Sequence, residues 1–366
     1  MDDRRRRTAL SRRSLLGSSG AVGLVALAGC LDRFGGPDRT ASAGDASTGG
    51  PPTADRSLPE EYATDELEDA SLSGGPGQDG IPSVDDPQFA SADDPPSNLA
   101  DGDPVFGVEL NGESKAYPQY TLVWHEIVND VVGGESVAVT YCPLTGTAQG
   151  FYRGDVELGV SGRLINSNLV MYDRGTETWW PQMLAWGVRG PLEGAYLEEF
   201  QVTWTTWERW RDGFPETVVL TEDTGYVRNY GDDPYGAYNP PVGYYENEAT
   251  LFSPLATDDR FPPKEVVIGV RNADGAMAVP KATLREREVI EGTMNDVRYV
   301  TVYDDALDTG YAYRNPDDEP VECDDGVLTV AGTRYDPQSL PLEREIGFDA
   351  MWFAWYGYYP STAVHE

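Results

Sequence analysis

One cysteine and one histidine are the residues best able to do chemistry in this chain, because both types are scarce. Outside Cys30 the chain has only Cys142 and Cys323, and its only histidines are His125 and the penultimate His365. A histidinium beside a cysteine lowers the pKa of the thiol and makes it a nucleophile or a redox centre. The same two side chains are ligands for a soft metal such as copper(I) or zinc.

A predicted β-hairpin places His125 and Cys142 opposite each other. Gly133-Gly134 stands between two runs rich in β-branched residues, which is typical of a two-residue hairpin loop. With these glycines as the loop, the two residue numbers of every cross-strand pair sum to 267. His125 and Cys142 meet that condition and are therefore predicted to pair. Uninterrupted pairing brings the two Cβ atoms to about 4.5–5.5 Å. Strand alternation sends the neighbouring Glu126 to the other face.

The chain also contains an internal similarity, which predicts a duplicated unit. Residues 105–118 match residues 267–280 at an offset of 162, and the offset holds as far as residues 141 and 303. Near the end of each copy a pair of tryptophans recurs, now at an offset of 145, so the second copy is 17 residues shorter. The missing part corresponds to residues 159–182.

The second copy replaces both candidate site residues. At the offset of 162, His125 becomes Arg287 and Cys142 becomes Asp304, while the glycine pair becomes Asn295-Asp296, again good turn residues. A cross-strand Arg–Asp ion pair is a plausible structural substitute. We therefore expect chemistry only in the first copy.

Two ligands are too few for a metal site, so a copper or zinc centre needs others from elsewhere in the chain. Tyr172, Asp173 and Gln182 are candidates by position, because they lie in the segment that only the first copy contains. A structural role is equally open: Cys142 buried beside a hydrogen-bonded histidine, or a Cys142–Cys323 disulfide, which an oxidising exterior permits.

Short runs of aromatic and β-branched residues, broken by Gly, Pro and Asp, predict an α+β fold that is mainly β. Each copy is expected to end in a short tryptophan-containing helix. In the first copy Trp207 and Trp210 share one face as core residues, and Thr205 and Glu208 form a capping box. The predicted organisation is a signal at residues 1–30, a disordered tether at 31–80, the first repeat at 81–230, a connecting segment at 231–262, and the shortened second repeat at 263–366.

The N-terminal residues predict export and a lipid anchor. Arg12 and Arg13 stand in a Ser-Arg-Arg-Ser-Leu-Leu pattern typical of twin-arginine signals. The apolar run that follows, residues 15–28, is too short for a confident membrane-spanning helix. It leads into Leu-Ala-Gly-Cys30, which resembles the lipobox at which lipoproteins are cut and lipidated. We expect a lipoprotein at the cell surface, held by Cys30 to the outer face of the cytoplasmic membrane.

The charge of the chain predicts its solvent. There are 62 acidic and 27 basic residues, a net charge of -35, and only three lysines. Repulsion among so many acidic groups opposes folding in dilute buffer, whereas molar salt reduces the screening length to about 3 Å. We expect a protein of a salt-adapted prokaryote. Nucleic acid is not an expected partner, because there is no basic stripe to neutralise phosphates.

Several segments closely resemble the family called domain of unknown function 3179, namely residues 124–146, 159–162, 166–174 and 205–207. The resemblance runs from about residue 81 to the C-terminus and implies no activity, since the family has none to carry over. It implies that many members have a second cysteine at the position of Thr145, which forms a dithiol motif with the residue equivalent to Cys142. Thr145 removes that second thiol here, so a monothiol or metal role remains.

The alternative function is a non-catalytic extracellular binding module for glycan or peptide ligands. Aromatic residues that could form a stacking surface are Trp179, Trp180, Trp186 and those from Tyr226 to Tyr245. Exposure of Trp179 and Trp180 on a concave face favours this alternative. A solvent-accessible Cys142 in contact with His125 favours chemistry.

Overall fold

Short strands dominate the computed structural model, which describes residues 49–324 and 326–366. The predicted α+β, mainly β class is confirmed. Across these described residues no helix is long and apolar enough to cross a membrane. The predicted signal at residues 1–30, with Arg12, Arg13 and Cys30, lies outside the described residues.

The first described segment, residues 49–103, includes the beginning of the predicted first repeat. Its elements are α1 (Thr64–Asp69), β1 (Leu72–Ser73) and β2 (Phe89–Ser91). The prediction of a disordered tether is wrong for residues 49–80. Two leucines, Leu58 and Leu67, are at most 5% exposed, and β1 pairs with a strand of the first unit through Leu72 and Leu164. These few apolar anchors bury the segment even though its average composition is polar.

We call residues 104–220 the first unit, and in chain order it contains β3 (Pro104–Leu110), β4 (Glu113–Pro118), α2 (Gln119–His125), β5 (Ile127–Val132), β6 (Glu135–Cys142), β7 (Thr147–Tyr152), β8 (Leu158–Ile165), β9 (Asn168–Asp173), β10 (Trp179–Pro181), β11 (Glu199–Phe200), β12 (Thr203–Thr206), α3 (Trp207–Gly213) and β13 (Val218–Leu220). Its sheets have the strand orders β12-β3-β4-β13-β2, β11-β7-β6-β5 and β1-β8-β9-β10. The third sheet is built largely from the segment that sequence comparison assigns to the first copy alone.

A hairpin of β14 (Gly236–Tyr238) and β15 (Pro241–Gly243) lies in the connecting segment. We call residues 266–364 the second unit, and it contains β16 (Val266–Asn272), β17 (Gly275–Pro280), α4 (Lys281–Arg287), β18 (Val289–Met294), β19 (Val297–Asp304), β20 (Thr309–Arg314), β21 (Val321–Asp324), β22 (Val327–Val330), β23 (Thr333–Tyr335), β24 (Glu343–Glu345), β25 (Gly347–Met351), α5 (Trp352–Tyr358) and β26 (Ala363–Val364).

The two units have matching topology. The order β12-β3-β4-β13 of the first unit corresponds to β25-β16-β17-β26 of the second, and in both the last pair of strands is parallel. The bounds of β3 to β7 recur in β16 to β20 at the offset of 162, and α3 recurs as α5 at 145. Descent of both units from one duplicated segment stays a prediction.

In each unit, a tryptophan ring of the last helix packs directly against a glycine of the sheet and holds the helix there. A Cβ atom added to Gly107 would lie 2.2 Å from the ring of Trp210, and one added to Gly269 would lie 2.2 Å from the ring of Trp355. Both indoles are therefore core residues, as expected. The predicted capping box at Thr205 is wrong, because β12 continues through Thr206, which is the N-cap residue and makes no side-chain cap bond.

A buried ion pair joins the two units. Arg271 of β16 donates two hydrogen bonds, of 3.0 and 3.1 Å, to the Glu199 carboxylate of β11, and both side chains are at most 1% exposed. Glu199 also accepts hydrogen bonds from Gln149 at 3.0 Å and from Arg56. The carboxylate therefore holds the first segment and both units together.

Candidate functional site

The predicted hairpin register is confirmed, but the predicted contact of His125 with Cys142 is wrong. Strands β5 and β6 pair from Ile127 with Thr140 to the glycine loop, so paired residue numbers sum to 267. His125 lies outside this ladder, because it is the last residue of α2. Glu126 ends the helix with a left-handed backbone (φ 59°). The pairing of the two strands begins with the hydrogen bond from the Tyr141 amide to the Glu126 carbonyl oxygen.

The same geometry recurs in the second unit. Arg287 is the last residue of α4, and Glu288 follows it with φ 62°. Arg287 donates to the backbone carbonyl of Glu366, while Asp304 accepts from the backbone amide of Leu307. Within the described residues Arg287 and Asp304 form no ion pair, so that prediction is also wrong.

His125 is a buried structural residue. Its Nδ1 lies 2.7 Å from the carbonyl oxygen of Pro82, and its Nε2 lies 2.7 Å from the hydroxyl of Tyr230. A carbonyl can only accept, so Nδ1 carries the proton and Nε2 accepts from Tyr230. Burial is the main cause that lowers the pKa of His125. The neutral imidazole thus connects two loops. Its contacts in the described residues are with Pro82, Tyr226 and Tyr230 rather than with the thiol.

Cys142 lies instead against the turn between β8 and β9. Its thiol is 1% exposed and lies 3.7 Å from the carbonyl oxygen of Ser167, to which it donates a weak hydrogen bond. Burial, followed by the negative charge of Glu126, raises the pKa of Cys142 to about 11. The thiol is therefore protonated at neutral pH. Cys142 and Cys323 are both free, so the alternative of a disulfide between them is not realised.

Glu126 is the charged neighbour of this thiol, and sequence reasoning missed it. Glu126 is 7% exposed, and among the described residues its carboxyl group has no hydrogen-bond or ion-pair partner. Burial raises its pKa to about 8. The prediction from strand alternation does not apply to Glu126, because its left-handed backbone precedes the paired strand. The missed signal was a glutamate at 126 and again at 288, where a helix end usually has glycine.

Four tyrosines enclose the thiol. Burial first, and then negative charges that include Cys142, raise the pKa of each of them above its ordinary value. Three belong to the connecting segment and the fourth to α5, and they are Tyr235, Tyr238, Tyr244 and Tyr358. The thiol therefore lies in an aromatic, apolar cluster in which a negative charge is unfavourable.

A buried amide network fixes the loop after Cys142. The Asn168 side chain donates to Thr145 Oγ1 at 3.1 Å and to Gln182 Oε1 at 2.9 Å. Gln182 in turn donates to Thr140 Oγ1 at 2.9 Å and to the carbonyl oxygen of Thr147 at 3.1 Å. Gln182 is therefore a structural amide, and its side chain is not free to bind a metal.

Tyr172 and Asp173 lie at the far end of β9. Tyr172 lies five positions along the strand from Ser167, which is about 16 Å. The Tyr172 hydroxyl donates to Asp79 at 2.6 Å, and the Asp173 carboxylate accepts from Thr176 and from Trp180. These contacts occupy both side chains far from Cys142.

The donor set does not fit a zinc or copper centre. In residues 49–324 and 326–366 no group of three or more His, Cys, Asp or Glu side chains is arranged to hold a metal. Cys142 has Glu126 beside it but not His125, Tyr172 or Asp173. One sulfur and one carboxylate leave a tetrahedral site two ligands short.

The tryptophans of the alternative function do not form a stacking surface. Trp180 is fully buried and Trp186 is 7% exposed. Trp179 is half-buried, with the guanidinium group of Arg189 4.5 Å from its ring. A ligand cannot stack on these three rings together.

The fold and site define a β-rich protein of two topologically matching units, of which the first encloses a thiol and an unpaired carboxyl group. The family model described as "Protein of unknown function (DUF3179)" matches residues 78–362, so the chain belongs to this family, as the motifs predicted. No curated protein and no solved structure matches the chain.

Proposed function

We propose that Cys142 is the reactive group of a monothiol redox centre, and that Glu126, rather than His125, accepts its proton. The observation that carries this proposal is the buried Glu126 side chain, whose negative charge is, after burial, the largest cause that raises the pKa of Cys142. Ionisable groups whose pKa is strongly perturbed by burial cluster at functional sites. A pKa of about 8 makes Glu126 a competent base in neutral to mildly alkaline solution.

The proposed reaction is thiol–disulfide exchange. Cys142 Sγ gives its proton to the Glu126 carboxylate and attacks one sulfur of an external disulfide. A new S–S bond forms at Cys142, the external S–S bond breaks, and the departing sulfur takes the proton from Glu126. Because Thr145 stands where a dithiol motif has its second cysteine, a small external thiol resolves the mixed disulfide.

Access to the thiol requires movement of the connecting segment, residues 231–262. The Tyr244 hydroxyl donates to the carbonyl oxygen of Leu144 at 2.7 Å, two residues after Cys142. The carbonyl oxygen of Phe252 accepts from the hydroxyl of Ser167, whose own carbonyl oxygen contacts the thiol. We propose that this segment opens to admit the disulfide.

The test is the rate at which Cys142 reacts with an aromatic disulfide that releases a coloured thiolate. The full chain carries Cys30→Ser and Cys323→Ser in high salt, so that Cys142 is the only thiol. We expect one thiolate per chain, a rate that rises through about pH 8, and no reaction after Cys142→Ser. We expect Glu126→Gln to lower the rate at pH 8 by about 100-fold, the lower end for a lost general base.

The direction of the Glu126→Gln effect separates two roles. If Glu126 only repels the thiolate, its removal lowers the pKa of Cys142 and the reaction becomes faster, which contradicts the proposal. Glu288→Gln at the corresponding position of the second unit is the matched control, and its rate should equal that of the parent. An unreactive native thiol would also contradict the proposal.

We further propose that the protein is a lipoprotein of a salt-adapted prokaryote, exported by the twin-arginine route and held at the cell surface by Cys30. The support is the order of Arg12, Arg13 and Cys30 in the first thirty residues and the net charge of -35. We expect Cys30→Ser to release the protein into the medium, and Arg12→Lys with Arg13→Lys to retain it in the cytoplasm. Cell fractionation checks both, and a Cys30→Ser variant that stays on the membrane would contradict the anchor.

A further inference from the structure

A cavity of about 470 Å³ lies between the two units, within the usual size range of small-ligand sites. Its wall includes Trp204 and Thr205 of β12, Tyr238 of the connecting segment, and Lys264, Lys281 and Arg285 from the second half of the chain. The cavity is separate from the Cys142 enclosure, although Tyr238 belongs to both.

Basic side chains are concentrated in this cavity. The chain has only three lysines among 366 residues, and two of them line it. Lys281 pairs with Asp349 at 2.6 Å, and Arg285 pairs with Asp308 at 2.6 Å. Lys264 has no carboxylate partner in the described part of the chain. Among the described residues Lys264 is therefore the one of these three cationic groups without an ion-pair partner, and the carboxylate of Glu265, next to it in the chain, also lines the cavity.

The surroundings hold Lys264 in place without neutralising it. Its Nζ donates to the carbonyl oxygen of Tyr244 at 2.5 Å and lies 3.3 Å from the centroid of the Tyr244 ring. Burial lowers the pKa of Lys264 to about 8, so its charge is poorly compensated. The ammonium group has three hydrogens, and the carbonyl uses one of them. The Tyr244 ring faces a second, which leaves one for a ligand oxygen.

Thr205 is a second unpaired polar group in the same wall. It is 4% exposed, and its hydroxyl has no hydrogen-bond partner in the described residues. It does not cap α3, because Thr206 is the N-cap residue. In the second unit the corresponding residue, at the offset of 145, is Ala350. The hydroxyl is therefore not required by this fold, and Thr205 belongs to the cavity wall.

An aromatic wall and an acceptor complete the lining. Trp204 is held by edge contacts with Phe106, Tyr141 and Tyr238, whose ring centroids lie 4.9–5.7 Å from its own. A ring fixed in this way offers rigid apolar surface. Glu265, next to Lys264, also lines the cavity and can accept hydrogen bonds from hydroxyl groups.

We infer that this cavity binds a small carboxylated sugar of the uronic acid class. The ligand carboxylate pairs with Lys264, ligand hydroxyls bond to Thr205 and Glu265, and the sugar ring packs against Trp204. A plain anion leaves the aromatic wall and Glu265 unused, and a neutral sugar leaves Lys264 unpaired. The inference goes beyond the thiol function and does not depend on Cys142.

Isothermal titration of the full chain carrying Cys30→Ser tests the inference, with D-glucuronate, D-glucose and acetate as probes in the same salt. We expect glucuronate to bind at least tenfold more tightly than glucose or acetate. Lys264→Met keeps the aliphatic stem and should weaken glucuronate binding at least tenfold. Thr205→Val removes an unpaired hydroxyl, so it should leave the fold intact and weaken binding about fivefold. Arg298→Gln removes one positive charge elsewhere and should change nothing.

The inference would be overturned by the absence of glucuronate binding, by equal affinities for glucuronate and glucose, or by unchanged affinity in both the Lys264→Met and Thr205→Val variants. Acetate binding as tight as glucuronate would overturn the assignment of a sugar. Cys142→Ser should bind glucuronate like the parent chain. That variant keeps the two proposals separable, because a failed thiol assay does not change the titration.

Discussion

The Glu126→Gln variant is expected to be more stable than the wild type at pH 9, by up to about 5 kcal/mol. Burial raises the pKa of Glu126 from 4.5 to about 8 in the folded protein. Between these values the folded state holds a proton that the unfolded state has lost. The free energy of unfolding of the wild type therefore falls as pH rises from 4.5 to 8, and this contribution is constant above 8.

Glutamine removes this titration. The stability difference between the variant and the wild type should vanish below pH 4.5 and reach its full value above pH 8. Urea unfolding at constant high salt, at several pH values, measures it. Glu288→Gln is the matched control, because Glu288 has the same left-handed backbone in the second unit but is only partly buried.

A stability gain that does not depend on pH would contradict a raised pKa at Glu126. A loss of stability at pH 9 would mean that the carboxylate is stabilised in the folded state. The expected result, combined with loss of thiol reactivity, would identify Glu126 as a residue retained for function at the expense of stability.

The Arg271→Met variant is expected to lose about 3–5 kcal/mol of stability, because it leaves a buried carboxylate without its bidentate partner. Arg271 and Glu199 are at most 1% exposed, and they join the second unit to the first. Methionine keeps most of the apolar stem, so the loss reflects the charge rather than a cavity. Urea unfolding with a single transition provides the measurement.

A second substitution tests that cause. Arg271→Met combined with Glu199→Gln removes both charges and should recover part of the lost stability. Arg56 then loses its carboxylate, but its side chain is 29% exposed and remains in reach of water. A double variant no more stable than Arg271→Met would mean that lost packing, not an unpaired charge, causes the effect.

The sequence determined the features that depend on near neighbours. Gly133-Gly134 gave the hairpin and its register, because both loop residues need positive φ and only the local chain decides this. The mainly β class followed from short β-branched and aromatic runs. The offsets of 162 and 145 gave the order of elements in the second unit, since equivalent residues form equivalent strands.

Only the tertiary structure decided which side chains meet. The fold of residues 49–80 depends on Leu58 and Leu67 docking on the rest of the chain, which average composition does not reveal. The partner of His125 is Tyr230, more than one hundred residues away, and His125 misses the thiol because it ends a helix before the paired strand begins. Register is set by local backbone hydrogen bonds, whereas burial and side-chain partners are set by contacts between distant segments, so the hairpin was predictable and the site was not.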